Sequence, residues 1–463
     1  MDFKKKAAIV VAVLVLIASC LIPGNEVLTD QGIKTIGITL MFLILLITEA
    51  LPMIVTCLLC IGLMPVLHAT GSFNDALSGF SNQVVFFILA SFGIADAFAK
   101  VPLTTRTLAF LLKKFGKNIK SILLAMMVCS ALLSSIVSNV PTCAIFMALS
   151  LGFLEFYEDE EEKKRTGRAF MIAVPVASMI GGMITPAGSS INLLAISLLE
   201  KYAGTTITFV QWMGLGIPLT VLMLPVAWWL SVKIFKPAEI EPEKAKAFIS
   251  ELNVSVPEKL TGEELRVLII TVVMLILWIA SSWIRSINVM VVALLGCVAM
   301  LLPGIGVLEC REFFRNVSWD SFFLVGTVLS IGNAMVSSGV SDWITTLLPQ
   351  QAMSRPVFFG FVALLVFILL VIIPVAPSLV TLMSMPIITM SAANGCSPAL
   401  AMLVLGLVAA NCYLLPLDTV TLLTYGTGYY SMTDMPKCTV WIQLYMVLLM
   451  AFVAPPLAAL CGF

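Results

Sequence analysis

Long apolar runs, separated by short charged or proline-rich stretches, occupy almost all of this 463-residue chain. A helix of about 20 apolar residues crosses a bilayer, so these runs predict membrane-spanning helices. In chain order they lie at roughly 7–21, 34–48, 53–67, 83–112, 121–157, 169–199, 208–232, 266–284, 287–303, 320–348, 356–395, 398–430 and 438–461. The pattern predicts an all-α polytopic membrane protein whose first transmembrane helix, within residues 1–33, is retained rather than cleaved.

Two of these runs are too long for a single crossing. As one helix, residues 121–157 would span about 55 Å, compared with ~30 Å for a hydrocarbon core. Their middle, Ser134–Thr142, contains serines, an asparagine and a proline, and both ends of the run adjoin charged residues. We therefore predict a re-entrant helical hairpin over 121–157, and a second one over 356–395 with its tip at Pro374–Thr381. Unpaired backbone at such depth needs protein or water around it, so each tip should line a site.

The distribution of positive charge sets the expected orientation. With a cytoplasmic N-terminus and two re-entrant hairpins, most of the 26 Lys and Arg residues fall on the cytoplasmic side. This arrangement predicts about 11 crossing helices plus two hairpins that enter from opposite sides of the bilayer. The charged stretch 233–265, which contains prolines, becomes a cytoplasmic linker.

Similar segments on either side of the linker indicate an internal repeat. Phe86–Leu89 in the first half is similar to Phe322–Val325 in the second, and each precedes one of the predicted hairpins. Because the hairpins enter from opposite sides, residues 34–232 and 266–463 are predicted to be inverted-topology repeats. Such repeats place a substrate near the middle of the membrane, at the ends of broken helices.

Each half contains a second interruption after its hairpin. The helix predicted over 169–199 is broken at Thr185–Asn192, and the one over 398–430 is broken at Leu415–Thr421. Proline and glycine expose carbonyls there, and hydroxyl and amide groups add neutral oxygens that suit a sodium ion. The half-helix N-termini carry about half a positive charge and free N–H groups, which suit a carboxylate or sulfate. No Lys or Arg lies in either hairpin or either break.

The tip and the break of the first half resemble those of a known family. Ser138–Val140, with Ser134 four residues before, is similar to the Ser-Asn-Thr signature of the divalent anion/sodium symporters, which carry di- and tricarboxylates and sulfate. Thr185–Asn192 is similar to that family's Thr-Pro-Ile-Gly-Thr-Pro-Pro-Asn break, whereas Val140 stands where threonine is usual. The resemblance implies a homodimer in which a scaffold holds a transport domain that moves like an elevator.

The resemblance also implies a first sodium site, and the tips and breaks supply candidate substrate ligands. The implied sodium ligands are Ser134, Ser138, Asn139 and Gly188. The candidate substrate-binding residues are Ser138, Asn139, Val140, Thr142 and Ser189 in the first half and Ser378, Leu379, Thr381 and Thr419 in the second.

The second half departs from the family pattern. Pro377–Leu379 stands where Ser-Asn-Thr is expected, and Asp418 occupies the glycine position of the second break. Asp418 is the only charged residue between Arg355 and Asp434 in the sequence. An ionisable residue at membrane depth is a functional candidate, although an aspartate can also serve as a helix cap. We predict that Ser378 and Asp418 form a degenerate second site for a cation or a proton.

Composition and motifs exclude several classes of protein. The net charge of zero gives no basis for nucleic-acid binding, and the 11 cysteines show no zinc or redox spacing. The sequence contains no His-Glu-x-x-His motif and no Walker A loop, so neither an intramembrane metalloenzyme nor an ATP-driven pump is expected.

The predicted function is secondary active transport of small di- or tricarboxylates across a bacterial-type inner (plasma) membrane by alternating access. Sodium is the expected coupling ion, with proton coupling or anion exchange as alternatives, and no other cofactor is expected. A sulfate carrier or a cation/proton antiporter of the same architecture is the alternative function. The expected partners are the small anion, the lipid bilayer and a second copy of the chain.

Overall fold

The computed structural model describes residues 3–25, 28–116, 118–254, 256–347, 349, 352–373 and 375–463, apart from the side chains of Phe115 and Asn253. Pro374, predicted at the second hairpin tip, and Lys117, counted on the cytoplasmic side, lie outside these residues. Within the described ranges the regular structure is helical and contains no strand.

The first half and the linker contain twelve helices among the described residues. They are α1 Phe3–Leu21, α2 Asp30–Ile47, α3 Met53–Val66, α4 Phe73–Ala76, α5 Gln83–Lys100, α6 Leu103–Phe115, α7 Ile119–Val137, α8 Asn139–Leu154, α9 Glu160–Gly181, α10 Ser190–Ala203, α11 Phe209–Phe235 and α12 Pro242–Val254. Two short 3₁₀ turns, Ser78–Ser81 and Pro186–Gly188, precede α5 and α10.

The second half contains eleven helices over the ranges that the structure covers. They are α13 Gly262–Ala280, α14 Val289–Leu301, α15 Cys310–Asn316, α16 Trp319–Ser337, α17 Val340–Leu347, α18 Arg355–Ile372, α19 Ala376–Ala393, α20 Pro398–Ala409, α21 Thr419–Tyr425, α22 Asp434–Phe452 and α23 Ala454–Leu460.

The order of the helices repeats from one half to the other. Helices α2 to α11 correspond in order to α13 to α22, although α20, α21 and α22 are shorter than α9, α10 and α11. Each predicted hairpin is a pair of helices, α7 with α8 and α18 with α19, joined at the polar tip. Each predicted broken helix is interrupted, between α9 and α10 and between α20 and α21. The repeat of helix order agrees with the sequence echoes, whereas the inverted topology stays a prediction.

The chain divides into two compact units, and each unit takes segments from both halves. The first unit comprises Met1–Leu89, Leu194–Thr206 and Ser318–Ala409, and the second comprises Ala90–Leu193, Ile207–Val317 and Ala410–Phe463. The first hairpin therefore belongs to the second unit, and the second hairpin to the first unit. Helices α5 and α10 each contribute to both units.

Within the second unit, α9 packs against α7, α8 and α11. Gly181 permits this packing, because a Cβ at that position would lie 2.3 Å from the backbone oxygen of Ala131 on α7. Within the first unit, α16 packs against α3 and the turn before α5, and the backbone N–H of Gly79 donates to Ser330 Oγ at 3.0 Å. Small residues thus let apolar helices approach closely, as is usual in membrane proteins.

Eight of the described helices are long and apolar enough to cross a membrane, namely α2, α5, α7, α11, α16, α18, α19 and α22. Polar caps fix the starts of several helices at the predicted membrane boundaries. Asn118 Oδ1 accepts from the Ser121 N–H before α7, and Thr261 forms a capping box with Glu264 at the start of α13. At these two helix starts, side chains therefore satisfy N–H groups of the first turn before the chain becomes apolar.

The pairing of charges on α5 differs from a simple sequence expectation. Asp96 and Lys100 stand four residues apart, a spacing that predicts a neutralised pair. In the structure Lys100 Nζ lies 2.7 Å from Glu312 Oε2, and Asp96 accepts from Asn316 Nδ2 at 3.0 and 3.1 Å. Lys100 and Asp96 thus each bond to α15, in the same unit, rather than to each other.

Candidate functional site

The junction between α7 and α8 is held in an uncommon backbone conformation. Ser138 connects the two helices with φ 92° and ψ 157°, a positive φ that non-glycine residues rarely adopt. Its backbone N–H donates to Ser134 O at 3.3 Å, which closes the last turn of α7. Backbone strain of this kind costs of order 1–3 kcal/mol and collects at functional sites. The junction lies at the polar tip that the sequence predicts.

Asn139, the first residue of α8, joins the tip to the break after α9. One terminal atom of its buried amide lies 2.8 Å from Ser134 Oγ and 3.1 Å from the backbone oxygens of both Gly188 and Ser178. With nitrogen at this place, the amide donates to these oxygens, and the Ser178 oxygen also accepts from the Gly182 N–H at 2.9 Å. With the amide oxygen at this place, four oxygens lie together, namely Asn139 Oδ1, Ser134 Oγ and the backbone oxygens of Gly188 and Ser178. The same cluster can therefore stabilise an amide donor or a cation.

The break between α9 and α10 folds back on itself through close backbone contacts. A Cβ on Gly188 would lie 2.6 Å from the Gly182 backbone oxygen, so the turn requires glycine there. Thr185 Oγ1 accepts from the Gly188 N–H at 3.0 Å and donates to the Ser135 backbone oxygen. These contacts orient the Gly188 carbonyl towards Asn139 without any charged side chain.

Asn192 completes the break from its C-terminal side. Its Nδ2 donates to the backbone oxygens of Gly182 and Thr185 at 2.8 and 3.1 Å. Its Oδ1 is buried and has no hydrogen-bond partner among the described atoms. Ser189 is also buried, and its Oγ accepts from the Ile191 N–H at 3.3 Å. The break thus contains buried carbonyl and hydroxyl oxygens with only neutral groups around them.

The N-terminus of α8 offers unused hydrogen-bonding capacity. No side chain described in the structure caps this helix, although its 16 residues follow the tip directly. Thr142 Oγ1 is buried and, over the described part of the chain, unpartnered, while Val140 and Ser138 are half-buried. A helix N-terminus with free N–H groups favours an anion. An anion at this end of α8 would lie beside the Asn139 cluster.

The second break places Asp418 in the same unit as the first hairpin. Its Oδ1 accepts from the Val420 N–H at 2.9 Å, so the half-buried carboxylate caps α21. Helix α21 packs against α8 and α9, and Cys143 Sγ donates to the Val420 backbone oxygen at 3.5 Å. Thr419, the next residue, is exposed at the start of α21. Asp418 thus caps α21, as its residue type allows, and its role as a cation or proton site stays a prediction.

The tip of the second hairpin lies in the first unit and has a different character. Leu379 is 0% exposed, and the methyl group of Thr381 lies against Gly332. Thr381 Oγ1 donates to the Pro377 backbone oxygen at 2.8 Å, so this hydroxyl is satisfied within its own helix. Ser378 lines a void of about 20 Å³ whose other walls are mostly apolar. No oxygen cluster like that of Asn139 is formed around this tip by the residues described.

The structure therefore brings together some of the predicted ligands and separates others. Ser134, Asn139 and Gly188 meet directly, whereas no contact is found for the Ser138 side chain among the described atoms. Ser378 belongs to the first unit and Asp418 to the second, so their common site stays a prediction. The sequence interpretation missed Ser178, whose carbonyl joins the cluster. Little in the sequence indicates this role, because Ser178 is one small polar residue in an apolar helix.

Comparisons with known proteins identify the family of the chain. The family model described as the sodium:sulfate symporter transmembrane region matches residues 3–458. The sodium-dependent dicarboxylate transporter SdcS of Staphylococcus saprophyticus is 26% identical, over 94% of this chain and 88% of its own length. SdcS of Staphylococcus aureus strain USA300 is 24% identical, over 91% and 85%.

A solved structure supports the fold. The YdaH transporter of Alcanivorax borkumensis, described as having an unusual topology, superposes with a TM-score of 0.53 at 13% identity, covering 100% of this chain and 99% of its own. At this identity the likeness concerns the fold alone. The family match extends over nearly the whole chain, and it confirms both the predicted family and the prediction that the protein is not an enzyme. The chain belongs to the sodium:sulfate symporter family and is a multi-pass membrane transporter.

Proposed function

We propose that this protein carries small dicarboxylates across the plasma membrane, driven by sodium. The observation that carries the proposal is the Asn139 amide, held among Ser134 Oγ and the backbone oxygens of Gly188 and Ser178. The SdcS relatives, named as sodium-dependent dicarboxylate transporters, support the same substrate class. Both hard cations and carboxylates suit this neutral, oxygen-rich and N–H-rich region.

The sodium ion is cargo, and the first tip with the first break is its proposed site. When sodium enters, the Asn139 amide turns so that its oxygen joins Ser134 Oγ and the Gly188 carbonyl. The amide nitrogen holds these acceptors when no ion is bound, so the cluster is stable in both states. We place Ser138 at the same site, because its strained junction fixes the direction of Asn139.

The dicarboxylate is proposed to bind at the N-terminal end of α8. The free N–H groups of the first turn and the Thr142 hydroxyl would donate to one carboxylate, with Ser189 and Thr419 as further candidates. Helix dipoles and the adjacent sodium ion supply the positive potential, since no Lys or Arg occurs in the tip or the break. This coupling explains why substrate would bind with sodium rather than alone.

Asp418 is proposed to carry the second coupling charge. The Asp418 carboxylate occupies the N-terminus of α21, where an anion would otherwise bind. It would repel the substrate unless it holds a proton or a cation. We propose that it binds one of these when substrate is bound. Proton-linked transport is then the natural variant of the mechanism.

The proposed architecture has a cytoplasmic N-terminus, about 11 crossing helices and two opposed re-entrant hairpins. Helices α7 with α8 and α18 with α19 are the hairpins, and the repeated helix order supports inverted repeats. We further propose elevator-type alternating access in a homodimer. Crosslinking of purified protein in lipid nanodiscs, at single cysteines introduced into α13 and α14, would test the dimer.

The experiment that tests the function is uptake of labelled succinate into proteoliposomes with an inward sodium gradient, an inward proton gradient, or neither. Ser134→Ala is compared with Ser150→Ala, which removes a buried hydroxyl from the same hairpin. In the described structure the Ser150 hydroxyl donates a hydrogen bond to the Met126 sulfur. We expect sodium-driven uptake that is lost in Ser134→Ala and kept in Ser150→Ala.

Competition by unlabelled anions separates the substrate classes. Excess succinate or malate should block uptake, whereas sulfate should not. Uptake of labelled sulfate but not succinate would make this protein a sulfate carrier, in line with the family's description. Cation exchange without any anion uptake would replace the proposal with an antiporter.

A further inference from the structure

A polar cluster in the first unit is not used by the proposed sites. Lys201, in the last turn of α10, donates from Nζ to Asn333 Oδ1 of α16 at 2.6 Å. Asn333 Nδ2 in turn donates to Ser78 Oγ, in the turn before α5, at 2.9 Å. The serine hydroxyl therefore fixes the asparagine amide with its oxygen towards the lysine. Three separate segments converge on one ammonium group.

This ammonium has neutral partners throughout the part of the chain that the structure covers. Besides Asn333 Oδ1, only the Tyr202 ring lies near it, with Nζ 5.2 Å from the ring centroid. No carboxylate lies within 4 Å of Lys201 Nζ among the described residues. Glu200 precedes it on α10, but side chains of adjacent helical residues do not face each other. An ammonium has three donors, so two of them are free for an anion.

The position of Lys201 along α10 connects it with the site. Helix α10 begins at Ser190, directly after the break that carries Gly188 and Ser189, and Lys201 follows about three turns later. The charge distribution also predicts that Lys201 lies on the side of the membrane that is poor in lysine. A single cation at this end of α10 would raise the local concentration of anions around the end of that helix.

We propose that Lys201, oriented by Asn333 and Ser78, is a docking point for a carboxylate of the incoming substrate. This inference rests on the proposed transport of dicarboxylates and adds an entry station to it. Lys201 binds one carboxylate transiently before the anion is transported. The role needs a positive charge at this place rather than a particular side chain.

The test uses Lys201→Cys in a chain whose exposed Cys20 and Cys310 are replaced by serine, reconstituted for succinate uptake. We expect KM to rise roughly three- to tenfold with kcat unchanged, because a rim charge acts mainly on association. Reaction with a trimethylammonium thiosulfonate restores a positive charge and should restore KM. Reaction with a sulfonate reagent of similar size should raise KM further.

Two controls separate charge from structure. Lys201→Arg should keep the original KM, and Arg285→Gln, which removes an exposed charge predicted on the same side, should change KM less than twofold. Equal effects of the two thiosulfonates, or an unchanged KM in Lys201→Cys, would overturn the inference while leaving the proposed function intact.

If the unsubstituted carrier takes up no succinate, the proposed function is rejected, and a binding measurement then tests the docking point separately. The thermal unfolding midpoint of detergent-solubilised protein is then followed with succinate, citrate and sulfate. A stabilisation by any of these anions that Lys201→Gln loses supports the docking point. No such difference between the two proteins would reject it.

Discussion

The interruptions between α9 and α10 and between α20 and α21 hold equivalent places in the two halves but differ in charge. The first is closed by neutral groups, with Thr185 and Asn192 bonded to backbone atoms of the turn. The second ends in a carboxylate, with Asp418 capping α21. The first break therefore presents neutral oxygens, and the second presents an ionisable carboxyl group. The comparison suggests that a mobile sodium ion serves the first break and a bound proton or cation serves the second.

The two hairpin tips differ in the same direction. At the first tip, Asn139 is 6% exposed and makes polar contacts with two other segments. At the second, Leu379 is 0% exposed and apolar, while Thr381 is satisfied within its own helix. The Leu379 side chain has no oxygen that could ligate an ion, and Ser378 stands in the place of Asn139, so the second tip lacks the amide of the first. The order of the helices is thus repeated in the second half, but the polar groups of the first tip are not.

The largest effect is expected from removing the Asn139 amide. Asn139→Ala leaves Ser134 Oγ and the Gly188 carbonyl without their partner, at a cost of about 1–3 kcal/mol. We expect sodium-driven succinate uptake to fall at least about tenfold. Asn118→Ala is the matched control, since it removes an asparagine from the start of α7. It should lose about 1 kcal/mol of helix capping and keep its sodium dependence.

The next effect concerns the backbone of the first break. In Gly188→Ala, the new Cβ would meet the Gly182 backbone oxygen at 2.6 Å, so the turn must open. We expect the sodium concentration for half-maximal uptake to rise several-fold. Gly152→Ala, in the last turn of α8 with nothing within 4 Å of its Cβ, should leave transport unchanged and raise stability by up to ~1 kcal/mol. Equal sodium affinities in the two variants would remove Gly188 from the site.

Asp418→Asn tests the charge of the second break with little change in structure. Asparagine caps helices about as well as aspartate, so α21 should stay folded. We expect the variant to retain uptake at saturating sodium but to lose the pH or second-cation dependence of the original carrier. Asp418→Ala should in addition lower the unfolding midpoint, because the cap is lost. An Asp418→Asn carrier with unchanged pH and cation dependence would reduce Asp418 to a structural cap.

The smallest effect is expected at the strained junction. Glycine accepts a positive φ without cost, so Ser138→Gly should stabilise the protein by about 1 kcal/mol, measured by chemical unfolding in detergent. If the Ser138 hydroxyl ligates sodium, the same variant should also need more sodium for half-maximal uptake. A gain in stability with unchanged sodium affinity would limit Ser138 to a backbone role.

Much of the helical plan follows from the sequence. Apolar runs and caps define the helices, and the polar tip at Ser134–Thr142 and the break at Thr185–Asn192 lie where the residues predict them. These features depend on local composition, which a sequence states directly. The family also follows from short motifs at the same two places.

Other features depend on tertiary contacts and could not be predicted in this way. The Ser178 carbonyl is a backbone atom, which no residue type announces. The partner of Lys100 is Glu312, more than 200 residues away, and the local spacing to Asp96 pointed elsewhere. The combination of each hairpin with segments of the other half likewise depends on long-range packing.

The most direct test of the central claim is simultaneous uptake of ²²Na⁺ and ¹⁴C-succinate into proteoliposomes, in the original carrier, Ser134→Ala and Asp418→Asn. The account predicts that succinate accelerates sodium entry in the original carrier, that Ser134→Ala loses both fluxes together, and that Asp418→Asn keeps succinate-dependent sodium entry. Succinate-dependent sodium entry that survives Ser134→Ala but disappears in Asp418→Asn would contradict it, because the coupling ion would then bind at the second break.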